Sequence, residues 1–210
     1  MSVLASQFGR PHGPLGRLVG SFFAHYNAGF NRWIVQELRS EWREEPGRIV
    51  ELGPGPGLGL EETLRAFPSA HVWGIDRSPE MLARSGKRNR RDLGTGRLVL
   101  LEGDCASLSE LAPVDMVFAV HVLYFWHQPS EQLAQIHRAL RPGGRLALGF
   151  RLRSEMPMVA QRTFPKEGHL LYESEDQLSG RLREAGFASF RYLARGSAAA
   201  PKGRLVIAIA

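Results

Sequence analysis

Short apolar runs alternate with helix-spaced segments through most of this 210-residue chain, and that alternation constrains the fold more than any other feature. The runs are Ile49–Leu52, His71–Ile75, Arg97–Leu101, Val114–Val120, Arg145–Phe150, Ser189–Leu193 and Leu205–Ile209. Helical patterns separate most of them, at Leu58–Phe67, Pro79–Asp92, Ser130–Leu140 and Ser174–Ala185. Parallel strands need a crossover about as long as a helix, so the order predicts a mostly parallel sheet covered on both faces. Sheets of this kind bind ligands outside the carboxyl ends of their strands. Only Gly196–Gly203 lies between the last two runs, too short for a helical crossover, so those two strands are expected to form an antiparallel hairpin.

Ahead of the first run, Leu15, Val19, Phe22, Phe23, Tyr26, Phe30, Trp33, Ile34, Leu38 and Trp42 follow helical spacing. Gly20 and Gly29 interrupt the stripe, which predicts two helices, Leu15–Tyr26 and Asn31–Arg43, packing as core or lid. Tyr26, Asn27 and Asn31 are the polar groups on this segment that could face a pocket. The expected organisation is one domain over residues 1–210, an N-terminal helical cap at 1–46 and a core at 47–210. A hydrophobic content of 43% and a charged content of 23% suit a water-soluble domain with a substantial core. The single cysteine, Cys105, rules out a disulfide framework and any multi-cysteine zinc site, and no histidine pair has H-E-x-x-H spacing. No apolar run is long enough for a membrane span and no signal-peptide layout opens the chain, so a cytoplasmic location is expected.

The first run ends in Glu51-Leu52-Gly53-Pro54-Gly55-Pro56-Gly57, a G-x-G-x-G turn that in no frame reads as the G-x-G-x-x-G of a dinucleotide pyrophosphate site. Small residues at alternate positions let the backbone turn sharply and approach a ligand closely. Glu51 places a carboxylate where a pyrophosphate would need positive charge, so the turn suits a cationic or amine-bearing ligand. Asp76 ends the second run nineteen residues after Gly57 and is placed to accept hydrogen bonds from a ribose diol. The two acids together point to a nucleoside carrying an amino acid.

Four ordered segments carry a family resemblance: Glu51 to Gly57, Gly74-Ile75-Asp76-Arg77-Ser78-Pro79-Glu80-Met81-Leu82, Leu101-Glu102-Gly103-Asp104-Cys105, and Leu140-Arg141-Pro142-Gly143-Gly144-Arg145-Leu146. They resemble the motifs of class I S-adenosylmethionine-dependent methyltransferases of the bacterial small-molecule type, over about residues 45 to 150. The resemblance implies an α/β, Rossmann-like, doubly wound seven-stranded sheet, mostly parallel with the last strand antiparallel, with N-terminal lid helices. It implies S-adenosylmethionine as cofactor and S-adenosylhomocysteine as product. Glu51 then acts near the methionine amino group, Gly53, Pro54, Gly55 and Gly57 form the turn beneath the methionine part, and Asp76 holds the ribose. Asp104 takes the adenine amino group, Gly103 and Cys105 lie beside the ring, and Arg77 and Met81 are further candidates for adenine contact. Ser78, rather than Asp76, is the better N-cap for the helix that follows.

After the fourth run comes His121-Val122-Leu123-Tyr124-Phe125-Trp126-His127-Gln128-Pro129, which by resemblance passes close to sulfonium and substrate. His121 is a candidate for cofactor contact and, with Tyr124 and His127, for orienting or deprotonating an acceptor; His127 is otherwise a surface residue. Arg151, Arg153, Arg162 and His169, set among apolar residues, suit an acceptor with an anionic or polar end and an apolar body. The expected reaction is O-, N- or C-methylation of a metabolite, a quinone precursor or a lipid head group. The rivals are RNA methylation and a catalytically silent cofactor-binding regulator. The net charge of +6 raises the nucleic-acid reading, but lysine occurs only at Lys87, Lys166 and Lys202 and the arginines are dispersed. The one dense run, Lys87-Arg88-Asn89-Arg90-Arg91, reads as a solvated helix end. A small-molecule acceptor, no nucleic acid, no stable membrane insertion, and a monomer or homodimer are expected.

Overall fold

The computed structural model describes residues 28–197 and 200–210. Its seven strands form one sheet in the order β3-β2-β1-β4-β5-β7-β6. The chain divides into two compact units between Asp104 and Cys105.

The first unit contains a helix over residues 28–40 (α1), then β1 (Arg48–Leu52), α2 (Leu58–Ala66), β2 (His71–Asp76), α3 (Pro79–Arg88), α4 (Arg90–Gly94) and β3 (Leu98–Glu102). Its strands are parallel, β1 to β2 and β2 to β3, with Glu51 opposite Gly74 and Asp76 opposite Glu102. Ile49, Val50, Val72 and Ile75 are almost fully buried, as expected of strands covered on both faces. On α1, Phe30, Ile34 and Leu38 recur every four residues and are likewise buried. Within the described residues this helix ends at residue 40, three before the Arg43 expected from spacing; the Leu15–Tyr26 prediction, with Tyr26 and Asn27, lies outside the described residues. Arg32 of α1 pairs with Glu62 of α2 at 3.1 Å.

The helix expected over Pro79–Asp92 is two helices that meet at Asn89. Pro79 occupies the first turn of α3, and the Ser78 hydroxyl accepts the Met81 N–H at 3.3 Å, so Ser78 is the N-cap. At the other end, the Asn89 amide turns away from solvent and donates to Ser85 O and Gly57 O, both at 3.1 Å.

The second unit contains α5 (Leu108–Leu111), β4 (Val114–Val120), α6 (Pro129–Ala139), β5 (Leu140–Phe150), α7 (Met158–Thr163), α8 (Glu175–Glu184), β6 (Ser189–Ser197) and β7 (Ala200–Ile209). β4 and β5 are parallel, whereas β7 is antiparallel to both β5 and β6. The antiparallel hairpin follows from the short connection, and both of its strands outrun the apolar stretches that predicted them. β5 likewise starts at Leu140, five residues before the expected Arg145, because Leu140 already pairs with Val114 of β4, and Gly143 N–H and Ala210 N–H bond to Ala210 O and Gly144 O farther along. Short helical turns at Cys105–Ser107, Leu123–Phe125, Arg153–Glu155 and Pro165–Glu167 fill segments with no periodicity long enough to reveal them. No helix among the described residues is long and apolar enough to cross a membrane.

Candidate active site

The glycine turn that follows β1 is built from backbone conformations that favour glycine: Gly53, Gly55 and Gly57 have φ values of 64°, 52° and 80°. At Gly57 a side chain is also excluded by packing, since a Cβ would stand 2.4 Å from Ser85 Oγ and 2.9 Å from Ser85 Cα. The turn closes through Gly57 N–H to Pro54 O at 3.0 Å, and Gly53 N–H donates to Ile75 O on β2 at 2.7 Å. Arg88 adds a bond to Pro56 O at 3.0 Å and an ion pair with Glu61 at 3.1 Å, so this arginine supports the turn and is not simply a solvated helix end.

Glu51 is buried at the carboxyl end of β1, with 2% of its surface exposed, and its Oε2 has no hydrogen-bond partner. Burial, reinforced by the nearby Asp76 carboxylate, pushes its pKa from 4.5 up to about 8. A buried carboxyl oxygen with no partner is costly unless a ligand completes it. An ammonium group does so directly, supplying both a donor and a compensating charge. The site therefore fits the amino end of an S-adenosyl amino acid.

Asp76 is half-buried at the end of β2, and both of its oxygens are engaged. Oδ2 accepts Gly55 N–H at 3.0 Å and Oδ1 accepts Ser78 N–H at 2.9 Å. Burial raises its pKa, and the bonds from the Ser78, Gly55 and Arg77 backbone oppose that rise. Each carboxylate oxygen keeps a second lone pair, so diol recognition and turn-holding are compatible. Arg77 pairs with Asp104 at 2.6 Å, which places the candidate adenine-stacking cation and the candidate adenine acceptor in one ion pair. Gly103 N–H donates to Asp76 O at 3.1 Å, and Met81 is buried. Thus Glu51, Gly53, Pro54, Gly55, Gly57, Asp76, Arg77, Met81, Gly103 and Asp104 all lie in the first unit, on the ends of β1, β2 and β3 and the segments after them.

The second unit carries Cys105, His121, Tyr124 and His127. Cys105 is buried at the start of the Cys105–Ser107 turn. His121, directly after β4, has φ of 58°, the one described non-glycine residue with positive φ, and its N–H donates to Gly149 O at 2.8 Å. Histidine is among the residues that tolerate this region, and strain of this kind gathers at functional sites. Desolvation of the ring, with the Arg151 cation nearby, lowers its pKa to about 3. Tyr124 is buried, and its hydroxyl serves the main chain: it accepts Arg151 N–H at 2.6 Å and donates to Arg151 O at 3.3 Å. Burial raises its pKa far above the ordinary range. The His121 Nδ1 stands 3.4 Å from the same hydroxyl.

His127 is exposed and borders an open groove of about 650 Å³, lined also by Trp126, Pro165, His169, Leu170 and Arg181. Of the three segments expected to border an acceptor pocket, the N-terminal helices among them, those from His121 to Gln128 and from Arg151 to Tyr172 meet within the second unit. Leu170 N–H donates to Tyr124 O at 3.0 Å, and the Phe125 and His169 rings pack edge to face at 4.7 Å. Of the cations expected there, Arg153 pairs with Glu173 at 2.9 Å, Arg162 is exposed, and His169 lies 3.5 Å from Glu167. Among the described residues no cluster of three or more His, Cys, Asp or Glu side chains could hold a metal ion. Sequence reasoning missed Asn89 and Gly59. An asparagine inside a run of four cations, where it is a poor helix residue, was the available signal for the first; none marked the second.

Residues 50–148 match the family model described as a methyltransferase domain. Over 103 residues the chain is 36% identical to the trans-aconitate 2-methyltransferase of Methylobacterium nodulans, covering 49% of this chain and 38% of that protein. It is 27% identical over 117 residues to the malonyl-[acyl-carrier protein] O-methyltransferase of Halalkalibacterium halodurans, covering 54% of this chain and 42% of that protein. The chain thus spans about two fifths of these relatives' lengths. A putative O-methyltransferase from Nostoc punctiforme has the same fold, with a TM-score of 0.76 at 16% identity over 95% of this chain and 61% of that one.

Proposed function

We propose that the chain, whose residues 50–148 match a methyltransferase domain, is a class I S-adenosylmethionine-dependent methyltransferase and that it methylates a small molecule at an oxygen that is already anionic, a carboxylate above all. The observation that carries the cofactor assignment is the buried Glu51 Oε2, without a partner at the end of β1 beside the glycine turn. Glu51 takes the ammonium of the methionine part, Asp76 the ribose hydroxyls, and Asp104 the adenine amino group, with Gly53, Pro54, Gly55 and Gly57 beneath the amino-acid end. Gly103, Arg77 and Met81 complete the surroundings of the cofactor in the first unit.

The preference for an anionic oxygen rests on electrostatics. A histidine whose pKa is about 3 is a weak base, and the Tyr124 hydroxyl is engaged with the Arg151 main chain, so neither is suited to removing a proton from a neutral alcohol. A carboxylate needs no base. The cofactor supplies a methyl group on a sulfonium, activated for displacement. A carboxylate acceptor would take that methyl group, the carbon–sulfur bonding pair staying with sulfur, and no proton would have to move. The task left to His121 and to the main chain ordered by Tyr124 is alignment, which contributes up to about 7–11 kcal/mol when reacting atoms are held near attack geometry. Positive charge at Arg151 favours an acidic acceptor, and His127 contributes from the rim of the groove. Trans-aconitate and malonyl groups, named for the two relatives, both carry carboxylates.

Nucleic acid fits less well, since several arginines are already matched with acids: Arg65, Arg84, Arg97 and Arg204 all form ion pairs of 3.3 Å or less with neighbouring carboxylates. The reading is tested by calorimetry with S-adenosylhomocysteine, followed by turnover of labelled cofactor with a panel of di- and tricarboxylates, phenols, amines and transfer RNA. Cofactor binding with ester formation on a carboxylate is the expected result. Transfer only to phenols, amines or RNA overturns the acceptor assignment, and failure to bind cofactor overturns the whole reading.

A further inference from the structure

The second residue of α2, Gly59, is a glycine in a buried helical turn, where alanine would be the better helix former. Its backbone does not require glycine, since it is absent from the positive-φ residues. Space does. A Cβ built on Gly59 would lie 2.1 Å from Glu51 Oε1, 2.7 Å from Glu51 Cδ and 2.8 Å from Glu51 Oε2. The whole carboxyl group of Glu51 therefore occupies the volume that any side chain at this position would take.

We propose that Gly59 is a positioning residue for cofactor binding, its missing side chain forming the seat in which the Glu51 carboxylate lies when it receives the ligand's ammonium. The proposal rests on the reading of Glu51 given above. The atoms a methyl group would displace belong to the far end of a flexible side chain and not to backbone, so the fold gives way cheaply while the carboxylate moves. Gly57 differs in this respect, because backbone atoms of Ser85 stand in the way there. A methyl group at Gly59 thus damages recognition of the amino-acid end while leaving the adenosine contacts at Asp76 and Asp104 untouched.

The test compares wild type, Gly59→Ala, Glu51→Asp and the double variant by titration calorimetry with two ligands. S-adenosylhomocysteine carries the amino-acid end; 5′-methylthioadenosine keeps the nucleoside and sulfur but lacks it. Gly59→Ala is expected to weaken S-adenosylhomocysteine about tenfold or more and methylthioadenosine by less than about twofold. In the Glu51→Asp background, where the shorter side chain makes room for the methyl group, Gly59→Ala is expected to cost less than about twofold for either ligand. Unchanged S-adenosylhomocysteine affinity in Gly59→Ala, equal losses for both ligands, or the same loss in both backgrounds overturns the proposal. If Gly59→Ala alone does not fold, the double variant decides: folding and binding like Glu51→Asp supports the seat, and a failure of either overturns it. A wild-type protein that binds neither ligand fails the methyltransferase reading itself, whereas wild-type binding with an indifferent Gly59→Ala fails only this inference.

Discussion

Replacing Glu51 by glutamine separates the contribution of its carboxyl group to ligand binding from its effect on stability. In the folded protein burial and Asp76 hold the pKa at about 8, whereas the unfolded chain releases the proton near 4.5. The folded state therefore binds this proton more tightly. That contribution is fully present below pH 4.5, falls away as pH rises from there to about 8, and is absent above. At roughly 1.4 kcal/mol per pH unit, the loss at pH 7 is about 3 kcal/mol, and it approaches 5 kcal/mol above pH 8. Glutamine cannot ionise and escapes the loss. At pH 5 the acid is largely protonated in the folded state, so the two proteins differ chiefly by amide against acid. From that baseline the variant should gain steadily with pH, reaching a melting temperature roughly 6–12 °C above wild type near neutrality if the amide is accommodated. The same substitution removes the charge that meets an ammonium, so S-adenosylhomocysteine affinity should fall. Urea unfolding of both proteins from pH 5 to 8.5, paired with ligand titrations, measures both effects. Parallel stability profiles across that range would refute the idea that Glu51 is buried without compensation, whatever the constant offset between them.

Two further outcomes follow from hydrogen bonds the structure makes explicit. Tyr124→Phe removes the partner of Arg151 N–H, and urea denaturation should show a loss of about 1–3 kcal/mol; single-turnover transfer should slow through misplacement of His121 and Arg151, and unchanged stability and rate would remove Tyr124 from the site. Asn89→Ala should cost a similar ~1–3 kcal/mol and weaken S-adenosylhomocysteine, while Asn89→Asp, which sets a carboxylate against the Gly57 and Ser85 carbonyls, should be worse; equal tolerance of both in unfolding and binding measurements would show that the amide does not hold the turn.

Local order was legible where the determinants are local. Strand-helix alternation, the glycine turn, the Ser78-Pro79 helix start and the closing antiparallel hairpin each depend on neighbours in sequence, through propensity, φ restriction or connection length. Glu51 and Asp76 were legible as acids at strand ends, because a strand boundary next to a glycine turn is itself a local pattern. What these side chains meet was decided only by the tertiary structure. Asn89 reaches Gly57 O across 32 residues, Tyr124 reaches Arg151 across 27, and Gly59 leaves room for a carboxylate on another element. A run of arginines and an asparagine reads as a solvated helix end until folding turns Asn89 inward and sets Arg88 against Pro56 O. The sequence by itself determined which acids stand at the strand ends. Packing alone decided that Glu51 is desolvated enough to hold its proton to about pH 8, because the cost of burying a charge depends on every atom around it and not on its neighbours in the chain.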